Sequence, residues 1–199
     1  DGDYTTEEID TLTGKISGRP KSATFRTADL VGLDVLMDVA TNLRELVDDE
    51  AQREAFAVPD VLKRLVDDGR LGEKTKAGFY KKKDGEIKSV DPDTLGYTSA
   101  ADEELGDLGA VWNAGGLSAR LQALYEDDGR AGRFFRETTL ELLAYSANRL
   151  GEVSDNPADV DRAIRWGFGW TMGPFEMWDA LGMETVRNGL EAPALDAPD

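Results

Sequence analysis

The side chains available for chemistry in this chain are carboxylates, amines, guanidinium groups, hydroxyls and phenols, because its 199 residues include neither histidine nor cysteine. Lack of histidine removes the commonest general acid/base near neutrality and the commonest metal ligand. Lack of cysteine removes disulfides, thiolate metal sites and thiol nucleophiles, and makes a reducing cytoplasm the default compartment. Acid–base work would fall to carboxylates, Lys or Tyr. Glu176 and Asp179 stand three apart, as a carboxylate pair on one helix face would. With no adjacent base they read more simply as acidic charges at the start of a helix. Lys74, Lys76, Lys81, Lys82, Lys83 and Lys88 form a local basic patch, either a lure for anions or lysines guarding the exposed edge of a hairpin. Trp112, Trp166, Trp170 and Trp178 could form a stacking platform, but the near-helical spacing of the last three favours core and interface packing.

Charge narrows the partners. Forty acidic residues face 23 basic ones, for a formal net charge of −17. The acids are spread through apparent helices, as in Asp48-Asp49-Glu50 and Asp127-Asp128, so the whole surface carries one sign rather than a tail. That field repels nucleic-acid phosphates and anionic membranes, and neither is expected as a partner. Self-repulsion of this size calls for screening by salt, so a halophilic cytosol is expected, with an ordinary acidic mesophile as the alternative. No apolar run is long enough to span a bilayer and no secretory signal is visible. The chain opens on Asp1-Gly2-Asp3 rather than Met, and is expected to be an excised piece of something longer. Its end, from Ala192-Pro193 to Asp199, suits a linker or a frayed terminus.

The elements that must position these residues read as helices. Thr5-Thr6-Glu7-Glu8 has capping-box spacing ahead of Ile9 and Leu12, and Gly14 and Gly18-Arg19-Pro20 stop that helix. From Asp29 onward, Leu30, Leu33, Met37, Ala40, Leu43 and Val47 predict one long amphipathic helix capped by Asp29 or Thr27. Pro59 predicts a first-turn proline for a helix carrying Val61, Leu62, Leu65 and Val66. Gly78-Phe79-Tyr80, Asp84-Gly85, Ile87 and Val90 predict a small hairpin turned by Asp-Gly. The polar stretch from Asp91 to Asp107 marks a domain boundary, giving domains at 1–95 and 96–199. Helices resume with Leu117, Leu121 and Leu124, then with Phe135, Leu142 and Tyr145. Asn156-Pro157 sets a cap and first-turn proline for the next, and a last helix runs from near Phe175 to Val186.

The chain also repeats itself. Ile9-Asp10, Phe25, Asp29, Gly32 and Asp34 are echoed about 150 residues later by Val160-Asp161, Phe175, Asp179, Gly182 and Glu184. In both copies a short capped helix runs into a glycine/proline corner and then into a helix that starts with an aromatic.

Three stretches resemble one family. Residues 18–34, Gly18-Arg19-Pro20-Lys21-Ser22-Ala23-Thr24-Phe25-Arg26-Thr27-Ala28-Asp29-Leu30-Val31-Gly32-Leu33-Asp34, are similar to the C-terminal domain of 3-hydroxyacyl-CoA dehydrogenases. Gly72-Glu73-Lys74-Thr75-Lys76-Ala77-Gly78-Phe79-Tyr80 resembles the stretch that follows it. Trp170-Thr171-Met172-Gly173-Pro174-Phe175-Glu176 with Asp179-Ala180-Leu181-Gly182 resembles the second copy found in multifunctional β-oxidation enzymes. The resemblance implies an all-α fold of two duplicated helical domains, similar to the 6-phosphogluconate dehydrogenase C-terminal-like fold, with one small β-hairpin. The first domain would lack its first helix.

It also implies a reaction, oxidation of the 3-hydroxyl of an acyl-CoA by NAD, with the cofactor in an N-terminal Rossmann domain and none bound by this chain. The family's catalytic His, Glu and Ser lie in that domain and an assisting Asn on the helix entering the first C-terminal domain. None of these carries over, and the second copy has Arg133-Phe134 where an Asn-Arg pair would stand. No Gly-x-Gly-x-x-Gly follows a strand, so this piece alone is expected to be inactive. The family's acyl pocket is lined by the corner that here reads Pro20, Lys21, Ser22, Ala23, Thr24 and Phe25. A tight turn packing Phe25 into the core is the other reading of that corner. Lys74, Lys76 and their neighbours could draw the CoA phosphates. The implied partners are an acyl-CoA held with the Rossmann domain, an enoyl-CoA hydratase domain in the parent, and a homodimer or pseudo-dimer. The contrasting reading is a non-catalytic helical scaffold that binds a protein partner.

Overall fold

The computed structural model describes residues 4–48, 50–99 and 105–191, with only the backbone of residues 51 and 52. The chain's start, its Ala192–Asp199 end, Asp49, and residues 100–104 of the boundary segment lie outside the described residues. The fold is mostly helical and divides into two compact units. One comprises residues 1–10 and 22–103, the other residues 11–21 and 104–199. Residues 11–21 thus belong by compactness with the C-terminal half.

Helix α1 (Thr6–Leu12) begins with the expected box: Thr5 N–H donates to Glu8 Oε2 at 2.8 Å and Glu8 N–H donates to Thr5 Oγ1 at 3.2 Å. The long helix expected after Asp29 is instead two, α2 (Phe25–Val31) and α3 (Leu33–Leu46). Gly32 breaks them at φ 103° and ψ 125°, a conformation open to glycine and costly for a residue with a Cβ. Neither Thr27 nor Asp29 caps α2; its first amides go to Asp10, and Asp29 is buried at 3% exposure. A short α4 (Glu50–Ala55), not foreseen from the pattern, precedes α5 (Asp60–Asp67). Pro59 sits at the N-cap of α5 rather than inside its first turn. Burying Leu62 and Leu65 of α5 stabilises the unit by about 2 kcal/mol each.

The hairpin forms as the sequence predicts. Strands β1 (Tyr80–Lys83) and β2 (Glu86–Val90) pair antiparallel with Tyr80 opposite Ser89 and Lys83 opposite Glu86. Asp84 and Gly85 turn between them at φ 54° and 87°, the two positive values a type I′ turn requires. A third strand, β3 (Tyr97–Thr98), adds to β2 from the segment expected to be turns alone. The core of this unit gathers Ala28, Leu33, Leu62, Leu65, Phe79 and Val90.

The second unit holds a 3-10 turn (Lys15–Ser17), ended by Gly18 in the left-handed region, and helices α6 (Leu108–Asn113) and α7 (Leu117–Glu126). Helices α8 (Arg130–Asn148), α9 (Pro157–Phe168), α10 (Pro174–Leu181) and α11 (Met183–Glu191) follow. Helix α7 is central, packing on α6, α8 and α10, with Leu121 and Leu124 fully buried. Asn156 accepts from Ala158 N–H at 3.1 Å, capping α9 ahead of Pro157 as predicted. The tryptophans are a partial correction. Trp166 and Trp112 are 79% and 44% exposed rather than core residues, because helical spacing fixes a shared face but not what covers it. No described helix is long and apolar enough to cross a membrane, and no cluster of metal-ligating side chains occurs among the described residues.

Candidate functional site

The repeat found in sequence is a repeated device in three dimensions. In the first unit Asp10 accepts from the backbone N–H groups of Thr24 (3.0 Å), Phe25 (2.7 Å) and Arg26 (3.0 Å). In the second, Asp161 accepts from Phe175 N–H (2.8 Å) and Glu176 N–H (3.2 Å). Each carboxylate therefore satisfies the free amides at the start of the following helix from one helix back in the chain. Each of those helices ends at a glycine of the same shape, Gly32 at φ 103° and ψ 125°, Gly182 at φ 94° and ψ 135°.

The copies differ in what they add. Asp29 accepts from Phe79 N–H and Tyr80 N–H, both at 2.8 Å, which ties the hairpin to α2, and the Tyr80 hydroxyl donates to Asp10 Oδ2 at 2.9 Å. Among the described residues the second copy has no hairpin, and the matching Asp179 is exposed. Glu176 accepts from Gly173 N–H at 2.9 Å and pairs with Arg165 at 2.9 Å. The Glu176/Asp179 pair is thus a helix-start charge and a solvated side chain.

Burial holds the carboxyls of Asp10, Asp29 and Asp161 above their ordinary 3.8, although the amides they accept from pull the other way. It also pushes the Tyr80 hydroxyl far up, helped by the charge of Asp10. Raised carboxyls mean that the folded chain holds protons the unfolded chain releases, so their contribution is present at low pH and lost as pH rises through the folded values. Asp34 and Asp91 are lowered, by Lys74 and by the Thr94 amide respectively, but both lie on the surface where solvent screens them. Relief of a −17 surface acts in the same direction as the three buried acids. On acidification from about pH 8 to about pH 4 the urea midpoint at low salt is expected to rise. A midpoint that falls on that acidification would refute this balance.

The structure separates the sequence's site candidates. Of the corner, Ser22, Ala23, Thr24 and Phe25 belong to the first unit, Pro20 and Lys21 to the second. Ala23 takes a positive φ of 51°, and Thr27 Oγ1 donates to its carbonyl at 2.6 Å. Phe25 packs on Phe79 with ring centroids 4.5 Å apart, so the core-packing turn is present. Lys74 pairs with Asp34, and Lys76 with Glu73 at 3.5 Å. Neither is an uncommitted cation. Lys81, Lys82 and Lys83 lie on β1, an edge strand, where ammonium groups discourage further strand pairing. Pro20 and Lys21, in contrast, line a cavity of about 310 Å³ together with Lys15, Arg19, Trp112 and Arg120. Sequence reading missed Lys15, Arg19 and Arg120, since only the packing of α7 on the 3-10 turn brings them together.

The same carboxylate-stapled corner thus occurs twice in the chain. The family model for "3-hydroxyacyl-CoA dehydrogenase, C-terminal domain" matches residues 1–82 and 134–198, and the chain belongs to that family. It is 42% identical over 197 residues, 99% of its length, to a "Probable 3-hydroxyacyl-CoA dehydrogenase" of Bacillus subtilis, of which it covers 25%. A protein of the same name from Deinococcus radiodurans is 47% identical over 78 residues, 39% of this chain and 22% of that protein. A "Fatty acid oxidation complex subunit alpha" of Idiomarina loihiensis is 28% identical over 172 residues, 84% of this chain and 20% of the relative. The chain thus spans about a quarter of the length of these relatives. No solved structure matches it.

Proposed function

We propose that this chain is the substrate-facing and packing part of an NAD-dependent 3-hydroxyacyl-CoA dehydrogenase of fatty-acid oxidation, with oxidation carried out by groups outside it. The observation that carries this reading is the match over 99% of the chain to a quarter of a relative named for that activity. The two stretches matched by the family model support residues 1–95 and 96–199 as successive copies of its C-terminal domain. The described residues hold only a three-stranded antiparallel sheet, and the sequence lacks a strand–Gly-x-Gly-x-x-Gly–helix unit, so they do not fit a dinucleotide. On the first unit, Ser22, Ala23, Thr24 and Phe25 supply a wall for the acyl group, through small side chains and an aromatic ring.

The face of α2 and α3 supports the packing role. Leu30, Val31, Val39 and Leu46 stand 60%, 53%, 48% and 77% exposed, a run of apolar surface that monomers seldom leave to water. As a homodimer surface it predicts that Val39→Asp shifts the sedimentation of this chain from dimer to monomer; an unchanged profile would remove the face from the interface.

The acidic surface supports a salt-requiring protein of a cytoplasm rich in ions. NADH oxidation driven by acetoacetyl-CoA in molar potassium chloride is expected from the full-length gene product and not from this chain. Turnover by this chain alone would overturn the division of labour. Silence from both, with folding verified by circular dichroism, would favour the non-catalytic scaffold.

A further inference from the structure

Ala23 is the strained point of the first corner. It holds φ 51°, a left-handed conformation unfavourable for any residue with a Cβ. Two residues before the matching phenylalanine, the second copy has Gly173 instead, and there the backbone is relaxed at φ −82° and ψ 176°. Strain of this kind persists only where the surroundings over-determine it. Some of the support is local: Thr27 Oγ1 donates to the Ala23 carbonyl at 2.6 Å and lies 2.9 Å from Ser22 Oγ. Asp10 then holds the amides of the next three residues, Thr24, Phe25 and Arg26.

The first copy adds a brace to that staple. Tyr80, the first residue of β1, donates its hydroxyl to Asp10 Oδ2 at 2.9 Å and its backbone N–H to Asp29 Oδ2 at 2.8 Å. Asp29 lies on α2, the helix whose first amides Asp10 holds. Hydrogen bonds therefore close a ring, from Asp10 to the start of α2, along α2 to Asp29, across to Tyr80 and back to Asp10. A carboxylate held from one side can still pivot about its side-chain torsions. Oδ2 of Asp10 is held from two sides, by the Arg26 amide at 3.0 Å and by the Tyr80 hydroxyl. Burial and the charge of Asp10 push that hydroxyl far above its ordinary range, so it stays a donor at every working pH. The neighbouring Phe79 backs the Phe25 ring, and the Arg26 guanidinium lies over the Tyr80 ring at 5.7 Å.

The second copy shows what a corner needs merely to fold. Asp161 staples it with two amides, Asp179 is exposed where Asp29 is buried, and among the described residues no hairpin stands behind it. The brace is thus confined to the copy whose corner is strained, and that is the copy that walls the acyl group on the reading above.

We propose that Tyr80 is a positioning residue for the acyl wall: its hydroxyl locks Asp10, and through Asp10 the corner Ser22 to Phe25, into the shape that meets the acyl group. The brace stands on the geometry; its service to substrate rests on the acyl-CoA reading. Tyr80 acts through Asp10 and not by contact with the reacting atoms.

Tyr80→Phe is the test, since it removes one oxygen and keeps the ring. In this chain, hydrogen exchange at the amides of Thr24, Phe25 and Arg26 is expected to be about fivefold faster in the variant, with Phe175 and Glu176 unchanged. In the full-length gene product, KM for acetoacetyl-CoA is expected to rise about fivefold with kcat unchanged, as for a loss of uniform binding. Asp161→Asn, which weakens the staple of the second copy, should leave both constants at their wild-type values. Unchanged exchange at Thr24 to Arg26 would overturn the brace. Faster exchange with an unchanged KM would overturn its service to the acyl wall. An equal rise in KM for Asp161→Asn would do the same, by tracing the effect to general loosening. A full-length wild type that does not turn over acetoacetyl-CoA would defeat the acyl-CoA reading and the positioning role with it, while the exchange rates report separately on the brace.

Discussion

Gly72→Ala is expected to cost the first unit several kcal/mol more than Gly85→Ala, although the two glycines hold nearly the same φ, 89° and 87°. Each substitution forces an L residue to positive φ, at about 1 kcal/mol in the left-handed turn at Gly85 and up to about 3 kcal/mol at Gly72, whose ψ of −146° lies in a region essentially reserved for glycine. Only Gly72 is also pressed against backbone. A Cβ there would overlap the Asp29 carbonyl oxygen and lie 2.8 Å from Asp29 Cα and 2.9 Å from its carbonyl carbon, whereas nothing stands within 4 Å of one at Gly85. Main chain cannot swing aside as a side chain tip can, so α2 and the hairpin must part. Separation would strip Asp29 from Phe79 N–H and Tyr80 N–H and loosen Phe79, itself 5% exposed, from the core. An added penalty of roughly 3 kcal/mol or more follows from overpacking plus unsatisfied buried donors. Paired urea denaturation curves measure the difference directly. Equal midpoints for the two variants would show that the close approach of Gly72 to Asp29 carries no weight.

Asp10→Ala is expected to destabilise more than Asp161→Ala, though the two aspartates occupy the same place in the repeat. Asp10 serves three amides and the Tyr80 hydroxyl; Asp161 serves two amides. At roughly 1 kcal/mol for each donor left without an acceptor, the first substitution should cost about 3 kcal/mol or more and the second about 2 kcal/mol. Asparagine at position 10 should recover part of the loss, since its one carbonyl oxygen can still accept. Reversal of the order would mean that the second copy depends on its staple more than the hydrogen-bond inventory allows. The close approach of Gly173, whose Cβ would lie 2.5 Å from Asp161 Cβ, is the feature that could produce such a reversal. Gly173→Ala would then isolate it.

Much of the fold was legible in order along the chain. The Thr5–Glu8 box, the Asn156-Pro157 helix start and the Asp84-Gly85 turn each depend on groups a few residues apart, so local chemistry decides them. The break at Gly32 was hidden because the apolar rhythm runs across it without a change of period, and a glycine in a helical pattern signals an end only when its φ is known. Family resemblance located the corner at residues 20–25 but not its counter-charges.

Sequence by itself determined the acidic surface, the missing histidine and cysteine, the duplication and the family, all of which are properties of residue identity and spacing. Tertiary structure alone decided why the duplicated aspartates are there. Asp10 and the Phe25 amide are 15 positions apart, and Asp29 and the Tyr80 amide 51, distances over which no periodicity speaks. It also decided which positive charges remain uncommitted. The lysine run conspicuous in sequence meets neighbouring acids or solvent, while Lys15, Arg19, Lys21 and Arg120, unremarkable as a string, converge because α7 folds back on the loop that precedes α2. Electrostatic pairing acts over a few ångströms of space, and only the fold converts chain separation into that distance.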